Sequence, residues 1–168
     1  MKFLVDAPLG GLAKWLRFCG FDVEVKSLSG TRPERLPPAA PGRHILTGQA
    51  SLARRGRPDI LLVAGAAPEA QLREVCRRLG LDRRDFTPLS RCVRCNRELA
   101  ELPRDQAWGR VPEHVFLRQT AFYECPACRR VFWPGSHAAK ISAHLNRACG
   151  DPGEPVPHPG PEGEQHEP

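Results

Sequence analysis

Two hydrophobic periods alternate along the first half of this chain. Lys2-Phe3-Leu4-Val5 is a short apolar run ending at Asp6, the pattern of a buried strand with a carboxylate at the C-terminal edge of its sheet. Leu9, Leu12, Ala13, Leu16 and Cys19 then recur at helical spacing on one face, while Lys14 and Arg17 point elsewhere. Pro8 suits the first turn of that helix and Gly20 its stop. Residues 21–26 alternate through Val23 and Val25 and predict a second strand. Pro33, Pro37, Pro38 and Pro41, with Gly30 and Gly42, forbid a regular helix through most of residues 27–43, which predicts a loop with one short turn. A strand resumes at 44–47, a short helix follows over 50–55, and residues 59–64 form another apolar strand. Pro68 opens a helix carrying Leu72, Val75, Cys76 and Leu79, and Gly80 closes it. Strands alternating with helices imply a small parallel α/β sheet covered on both faces.

The second half reads differently. Val111, Val115, Phe116 and Leu117 predict further strands, and Phe122-Tyr123-Glu124 and Val131-Phe132-Trp133 predict the two arms of a hairpin. A final helix is expected over 138–148, and from Gly150 onward Pro, Gly and Glu leave no apolar face to bury, which predicts a disordered tail. The boundaries implied are an α/β domain over 1–81, a linker over 82–89, a ribbon with a short helix over 90–149 and the tail over 150–168.

Cys92-Val93-Arg94-Cys95 and Cys125-Pro126-Ala127-Cys128 are two knuckles with 29 residues between them. Each two-residue spacer lets a knuckle present two sulfurs to one ion, so the four thiolates can close a tetrahedron around a structural Zn²⁺. Arg91, Arg94, Arg97, Arg129 and Arg130 offset the negative charge of such a site. With four protein ligands no coordination position stays open, so this metal folds the chain and does no chemistry. His137 and His144 could replace a cysteine ligand, but the quartet already satisfies the coordination number. Cys19, Cys76 and Cys149 remain as an odd set with no framework spacing.

The tail holds five acids and no Lys or Arg, so all 25 basic residues and the other 14 acids lie in residues 1–149, a net of +11. An arginine-rich body of this kind favours a polyanion, most simply nucleic acid. Lys14, Arg17, Arg54, Arg55, Arg57, Arg94, Arg129 and Arg130 are the candidate phosphate contacts. Phe122, Tyr123 and Trp133 offer faces on which unpaired bases could stack, or equally form the core of a small metal domain; Trp15 is ambiguous in the same way. No apolar run is long enough to span a membrane and the start lacks a signal-peptide pattern, so a cytoplasmic address is expected. No small-molecule substrate is evident, and oligomeric state is not encoded in these patterns.

Lys2-Phe3-Leu4-Val5-Asp6, Leu9-Gly10, Leu12-Ala13-Lys14-Trp15-Leu16-Arg17 and Gly20-Phe21-Asp22 resemble the opening of the Mut-7 C-terminal RNase domain family. Ile45-Leu46-Thr47 adds the middle, and Phe86-Thr87-Pro88-Leu89-Ser90-Arg91-Cys92, both knuckles and Phe132-Trp133-Pro134-Gly135-Ser136-His137 add the end, so the resemblance covers residues 1 to about 145. It implies a PIN-like nuclease fold followed by a zinc ribbon, and RNA cleavage through a divalent metal held by acidic side chains. Asp6 matches the family's first acid. The second falls in the proline-rich loop, where Glu34 is the only acid; the third is Gln49; and the acids after the fourth strand are replaced by Gly65-Ala66-Ala67, with Glu69 the nearest survivor.

Phosphodiester cleavage of that type needs a cation that generates hydroxide and neutralises developing charge. Mg²⁺ or Mn²⁺ can be held by one or two carboxylates when substrate phosphate completes the shell, but a neutral amide at Gln49 contributes little. The expectation is an RNA-directed protein with a depleted acidic site, binding RNA with weak or no cleavage. The alternatives are an active ribonuclease using Asp6 and substrate-held Mg²⁺ or Mn²⁺, and a zinc-ribbon protein-interaction module. Asp22, Glu24 or Asp59 would be the acids to repair the site if the fold brought one to Asp6.

Overall fold

The apolar strands assemble as a four-stranded parallel sheet in the order β2-β1-β3-β4. The computed structural model describes residues 1–53 and 56–135, with Ala143, Leu145 and Cys149 beyond them. The strands are β1 (Lys2–Asp6), β2 (Asp22–Lys26), β3 (Arg43–Thr47) and β4 (Ile60–Leu62). Helix α1 (Gly10–Phe18) joins β1 to β2, after a single 3-10 turn that contains Pro8. The short α2 (Ala50–Ala53) precedes β4, and α3 (Pro68–Leu79) follows it. Gly80 stops α3 at φ 63°, a left-handed conformation that costs glycine nothing.

Each face of the sheet has its own core. Phe3, Val5, Val23, Leu46 and Leu61 pack against Leu12 and Leu16 of α1 and Leu72 and Val75 of α3. The two helices approach closely at Gly11, where a Cβ would stand 2.5 Å from the Pro68 ring. Leu4, Ile45 and Ile60 face the other way, under Leu52 of α2 and Leu28 and Leu36 of the proline-rich stretch. That stretch forms the expected loop with one short turn at Pro33–Arg35. It is also the lid of the second core.

The second module is a three-stranded antiparallel sheet, β5 (Ala100–Leu102), β6 (Phe122–Glu124) and β7 (Val131–Phe132), with β6 central. The β6–β7 hairpin is the one predicted. The strands predicted from Val115, Phe116 and Leu117 are instead a helix, α5 (Glu113–Arg118), preceded by the single turn α4 (Arg104–Ala107). Pro112 explains the difference: its carbonyl accepts the amides of Val115 and Phe116 and opens a helical turn, and Glu113 complements the positive end of that turn. Leu102, Ala107, Val115 and Phe122 form this module's core, with Val131 and Trp133 against it.

Among the described residues, the side chains of Arg17 and Asn96 join the modules. Arg17 of α1 donates to the Val23 carbonyl and, through its other branch, to the Val93 carbonyl at 3.0 Å and the Arg94 carbonyl at 3.2 Å. Asn96 accepts the Val23 amide at 2.9 Å and donates to Asp22 at 2.7 Å. Cys76 on the buried face of α3 is joined by a disulfide to Cys149, which corrects the reading of both as leftover thiols. The pairing follows from packing: Cys149 and Leu145 lie against the same core as Cys76. Cys19 stays a free buried thiol, pushed up to about 12 by burial. The rest of the predicted final helix, His137, His144 and the tail over 150–168 lie outside the described residues.

Candidate functional site

In a parallel sheet, ligands and chemistry gather at the C-terminal ends of the strands. β1 and β3 are neighbours in parallel register, with Val5 opposite Leu46, so Asp6 and Thr47 emerge side by side there. Asp6 is only 1% exposed, and its carboxylate is enclosed by donors. One oxygen accepts the Leu28 amide at 3.0 Å. The other accepts the Thr47 hydroxyl at 3.0 Å and the Gln49 side-chain amide at 2.6 Å. Thr47 in turn accepts the Gln49 backbone amide, which fixes the turn that aims Gln49 at Asp6. Gln49, the neutral residue at the family's third acid position, is a hydrogen-bond donor to Asp6. The helix that follows β1 receives no capping bond from Asp6.

None of the possible replacement acids reaches this point. Asp22 pairs in register with Lys2, four residues or roughly 13 Å back along the strand from Asp6. Its side chain is held by Asn96. Glu24 sits beside Lys26 at 2.7 Å. Asp59 lies before β4, at the opposite end of the sheet, where Arg57 holds its carboxyl below the ordinary range. After β4, the turn at Ala64 and Gly65 is closed by Glu74, which accepts both amides, and by Gln71, which donates to the Gly65 carbonyl. A Cβ on Gly65 would stand 2.8 Å from the Gln71 backbone nitrogen, so this turn fits only glycine. Among the described residues, the one group of three or more Cys, His or acidic side chains able to hold a metal is the cysteine cluster. The residues around Asp6 are a poor fit for Mg²⁺ or Mn²⁺: three of the carboxylate's four lone-pair sites accept hydrogen bonds, and Gln49 presents hydrogens where a cation needs oxygen.

The cysteine cluster is built quite differently. The sulfurs of Cys92, Cys95, Cys125 and Cys128 all lie within 4.8 Å of one another, although 29 residues separate the pairs. Both knuckles close with the same bonds. Asn96 donates its amide to the Cys92 carbonyl and Cys92 donates to the Arg97 carbonyl; Arg129 and Cys125 repeat this with Cys125 and Arg130. The residue after each second cysteine is left-handed, Asn96 at φ 60° and Arg129 at φ 59°. Asparagine tolerates that conformation; arginine does so at a cost of roughly 1 kcal/mol. Glu124 beside Cys125 offsets some of it by pairing with Arg129 at 3.1 Å and with Arg110. The hydrogen bond from the Arg130 amide brings the Cys128 thiol down to about 7, while Cys95, crowded first by its bond with Cys128, is pushed up to about 12. Four soft sulfurs at this spacing fit a metal such as Zn²⁺.

The candidate phosphate contacts separate into two groups. Lys14, Arg94, Arg129 and Arg130 are exposed. Arg17 and Arg57 are spent inside the protein: Arg17 on the carbonyls at the module junction, Arg57 on both oxygens of Asp59 and on the Pro37 carbonyl. A backbone carbonyl partner leaves no trace in sequence, which is why Arg17 looked like a surface cation. Arg54 and Arg55 lie outside the described residues. The open groove of about 820 Å³ between β2 and the first knuckle is lined by Arg17, Arg91 and Arg97 but also by Asp22, Glu24 and Glu98, so its charges cancel. Of the candidate stacking residues, Phe122 is core at 2% exposure, and Tyr123, Trp133 and Trp15 are half-buried.

A small parallel α/β domain with an acid at the head of a central strand, carrying a four-cysteine ribbon, is the class of protein these features define. The chain belongs to the Mut7-C RNase domain family, whose sequence model matches residues 1–145. That membership supports a nuclease-like, RNA-related role. No curated protein and no solved structure matches the chain. No helix among the described residues is long and apolar enough to cross a membrane.

Proposed function

We propose that this protein is an RNA-binding member of its family in which the acidic site has become a structural hydrogen-bond cluster, with weak or no cleavage. The observation that carries the reading is the Asp6 carboxylate, sealed by the Leu28 amide, the Thr47 hydroxyl and the Gln49 amide. A cation at Asp6 would have to displace two or three charge-assisted bonds, each contributing about 1.5–3 kcal/mol, and Asp22, Glu24 and Asp59 all lie elsewhere and cannot repay the loss. What the family fold retains is the basic body and the ribbon. Lys14, Arg94, Arg129 and Arg130 supply exposed cations for phosphates, and Cys92, Cys95, Cys125 and Cys128 supply the metal site that holds the knuckles in place.

The test uses purified full-length protein, labelled single-stranded RNA and added Mn²⁺. Retention of RNA that weakens as salt rises, with no cleavage above a no-protein control, is the expected result. Cleavage that survives extensive purification and disappears in Gln49→Leu or Asp6→Asn would overturn the inactive-site reading and favour a substrate-held metal at Asp6. Absence of RNA retention at low salt would favour a protein-interaction ribbon.

A further inference from the structure

The ribbon displays one aromatic side chain that its own core does not need. Trp108 is 61% exposed and Leu117 is 68% exposed, while Phe122, Val115 and Ala107 beneath them are buried. Trp108 follows Ala107, the last residue of α4, and precedes Gly109 at φ 71°, so the chain turns sharply and leaves the indole outside. The indole is nevertheless held. The Phe116 ring meets it in a T-shaped contact at 4.8 Å, and the Arg104 guanidinium lies 4.1 Å over the same Phe116 ring. Arg104 is itself fixed by donating to the Phe116 carbonyl at 2.8 Å. The result is a surface row of cation, ring and free ring in the segment that links the two knuckles in sequence.

Size and charge decide what fits. A fully exposed aromatic of this kind presents up to roughly 250 Å², so the free part of Trp108 is on the order of 150 Å². A stable protein–protein interface needs about 800 Å² on each partner. One indole and one leucine fall far short of that, but the area matches a single nucleobase. The adjacent Arg104 suits the phosphate that a base brings with it, and the body of the protein carries a net charge of +11. A rigid exposed indole loses little side-chain entropy on stacking, and every base offers a π-face, so the contact is tolerant of sequence.

We infer that Trp108 is a stacking platform for an unpaired RNA base, with Arg104 beside it for the flanking phosphate. The inference rests on the RNA-binding reading above and names where on the ribbon a single strand is gripped. It is tested on zinc-loaded full-length protein by fluorescence anisotropy, with two probes: an oligouridine of about 12 nucleotides and inorganic polyphosphate. Trp108→Ala is expected to bind the oligouridine roughly 5- to 100-fold more weakly, with Trp108→Phe keeping most of the affinity. Polyphosphate, which has no base, is expected to bind wild type and both variants equally. Equal oligouridine affinity in wild type and Trp108→Ala overturns the inference while leaving RNA binding intact. So does a parallel loss of both probes, which marks a structural role. Failure of the wild type to bind oligouridine at all removes the RNA-binding reading itself.

Discussion

Gln49→Glu returns an acid to the position where this family would carry one, and the geometry predicts its effect with a definite sign. The wild-type side chain donates to Asp6 at 2.6 Å, a charge-assisted bond contributing about 1.5–3 kcal/mol. Replacing it with a carboxylate removes that bond and sets two like charges about 4 Å apart, which costs about 4 kcal/mol at an effective dielectric of 20. The introduced carboxyl avoids the repulsion by taking a proton. Against an ordinary glutamate value of about 4.3, that costs about 3.7 kcal/mol at pH 7 and about 1 kcal/mol at pH 5. When protonated, it can also donate to Asp6 in place of the lost amide. The folded state therefore holds a proton that the unfolded chain has released, so stability falls as pH rises, by about 1.4 kcal/mol per pH unit above about 4.3. Gln49→Ala, which only deletes the donor, is expected to lose about 1.5–3 kcal/mol with no such slope. Urea unfolding followed by tryptophan fluorescence at pH 5 and pH 7 measures both. Mn²⁺ held by the new pair at a hundred times its dissociation constant would return about 2.7 kcal/mol to Gln49→Glu and nothing to the wild type. If Gln49→Glu matches wild type at pH 7, or is destabilised equally at both pH values, Gln49 does not contact Asp6 and the sealed-carboxylate reasoning is wrong.

Three further outcomes follow from the same structure. Asn96→Ala loses the bonds to Val23 and Asp22 and the side chain that tolerates φ 60°, and is expected to cost about 2–4 kcal/mol; Asn96→Gly, which keeps the backbone freedom, should recover about 1 kcal/mol of it in thermal or urea unfolding. His44, whose Nδ1 is buried without a hydrogen-bond partner among the described residues, has its pKa lowered by burial, so the unfolded chain binds its proton first and stability declines as pH drops below about 6.5; His44→Gln should flatten that part of the wild-type stability profile, and an unchanged profile would refute the assignment. Chelating the metal at neutral pH is expected to leave the freed thiolates to take up protons from solution and to unfold the ribbon while the parallel sheet persists; circular dichroism and zinc analysis on one sample would show the unfolding and the metal loss, and an unaltered ribbon would refute a structural metal.

Much of the architecture was legible because the signals were local. Continuous apolar runs at Phe3–Val5 and Ile45–Leu46, helical spacing from Leu9 to Cys19, and stops at Gly20 and Gly80 each depend on a few neighbouring residues, and the strands and helices stand where they point. The knuckles were legible because two sulfurs two residues apart have few other uses. What escaped depended on pairs distant in sequence. Gln49 acquires a role only because β1 and β3 are adjacent. Arg17 finds the Val93 carbonyl and Arg57 the Pro37 carbonyl, and Cys76 finds Cys149 across 73 residues. Strand β5 was missed because Leu102 is its single buried side chain, and α5 because Val115, Phe116 and Leu117 are consecutive apolar residues that fit either period until Pro112 is weighed. Trp108 was passed over because nothing in a sequence separates an outward tryptophan from an inward one.

Val23 lies on the outermost strand of the parallel sheet, and both its backbone groups are bonded by Asn96 and Arg17, whose other bonds reach across the module junction. The first knuckle thereby acts as a guard rail along an otherwise open strand border. Loss of the thiol-bound ion would lift that rail, and a bare border invites pairing with a second copy of the same strand. Metal-stripped protein is therefore expected to self-associate, and light scattering would register the failure before any assay of RNA did.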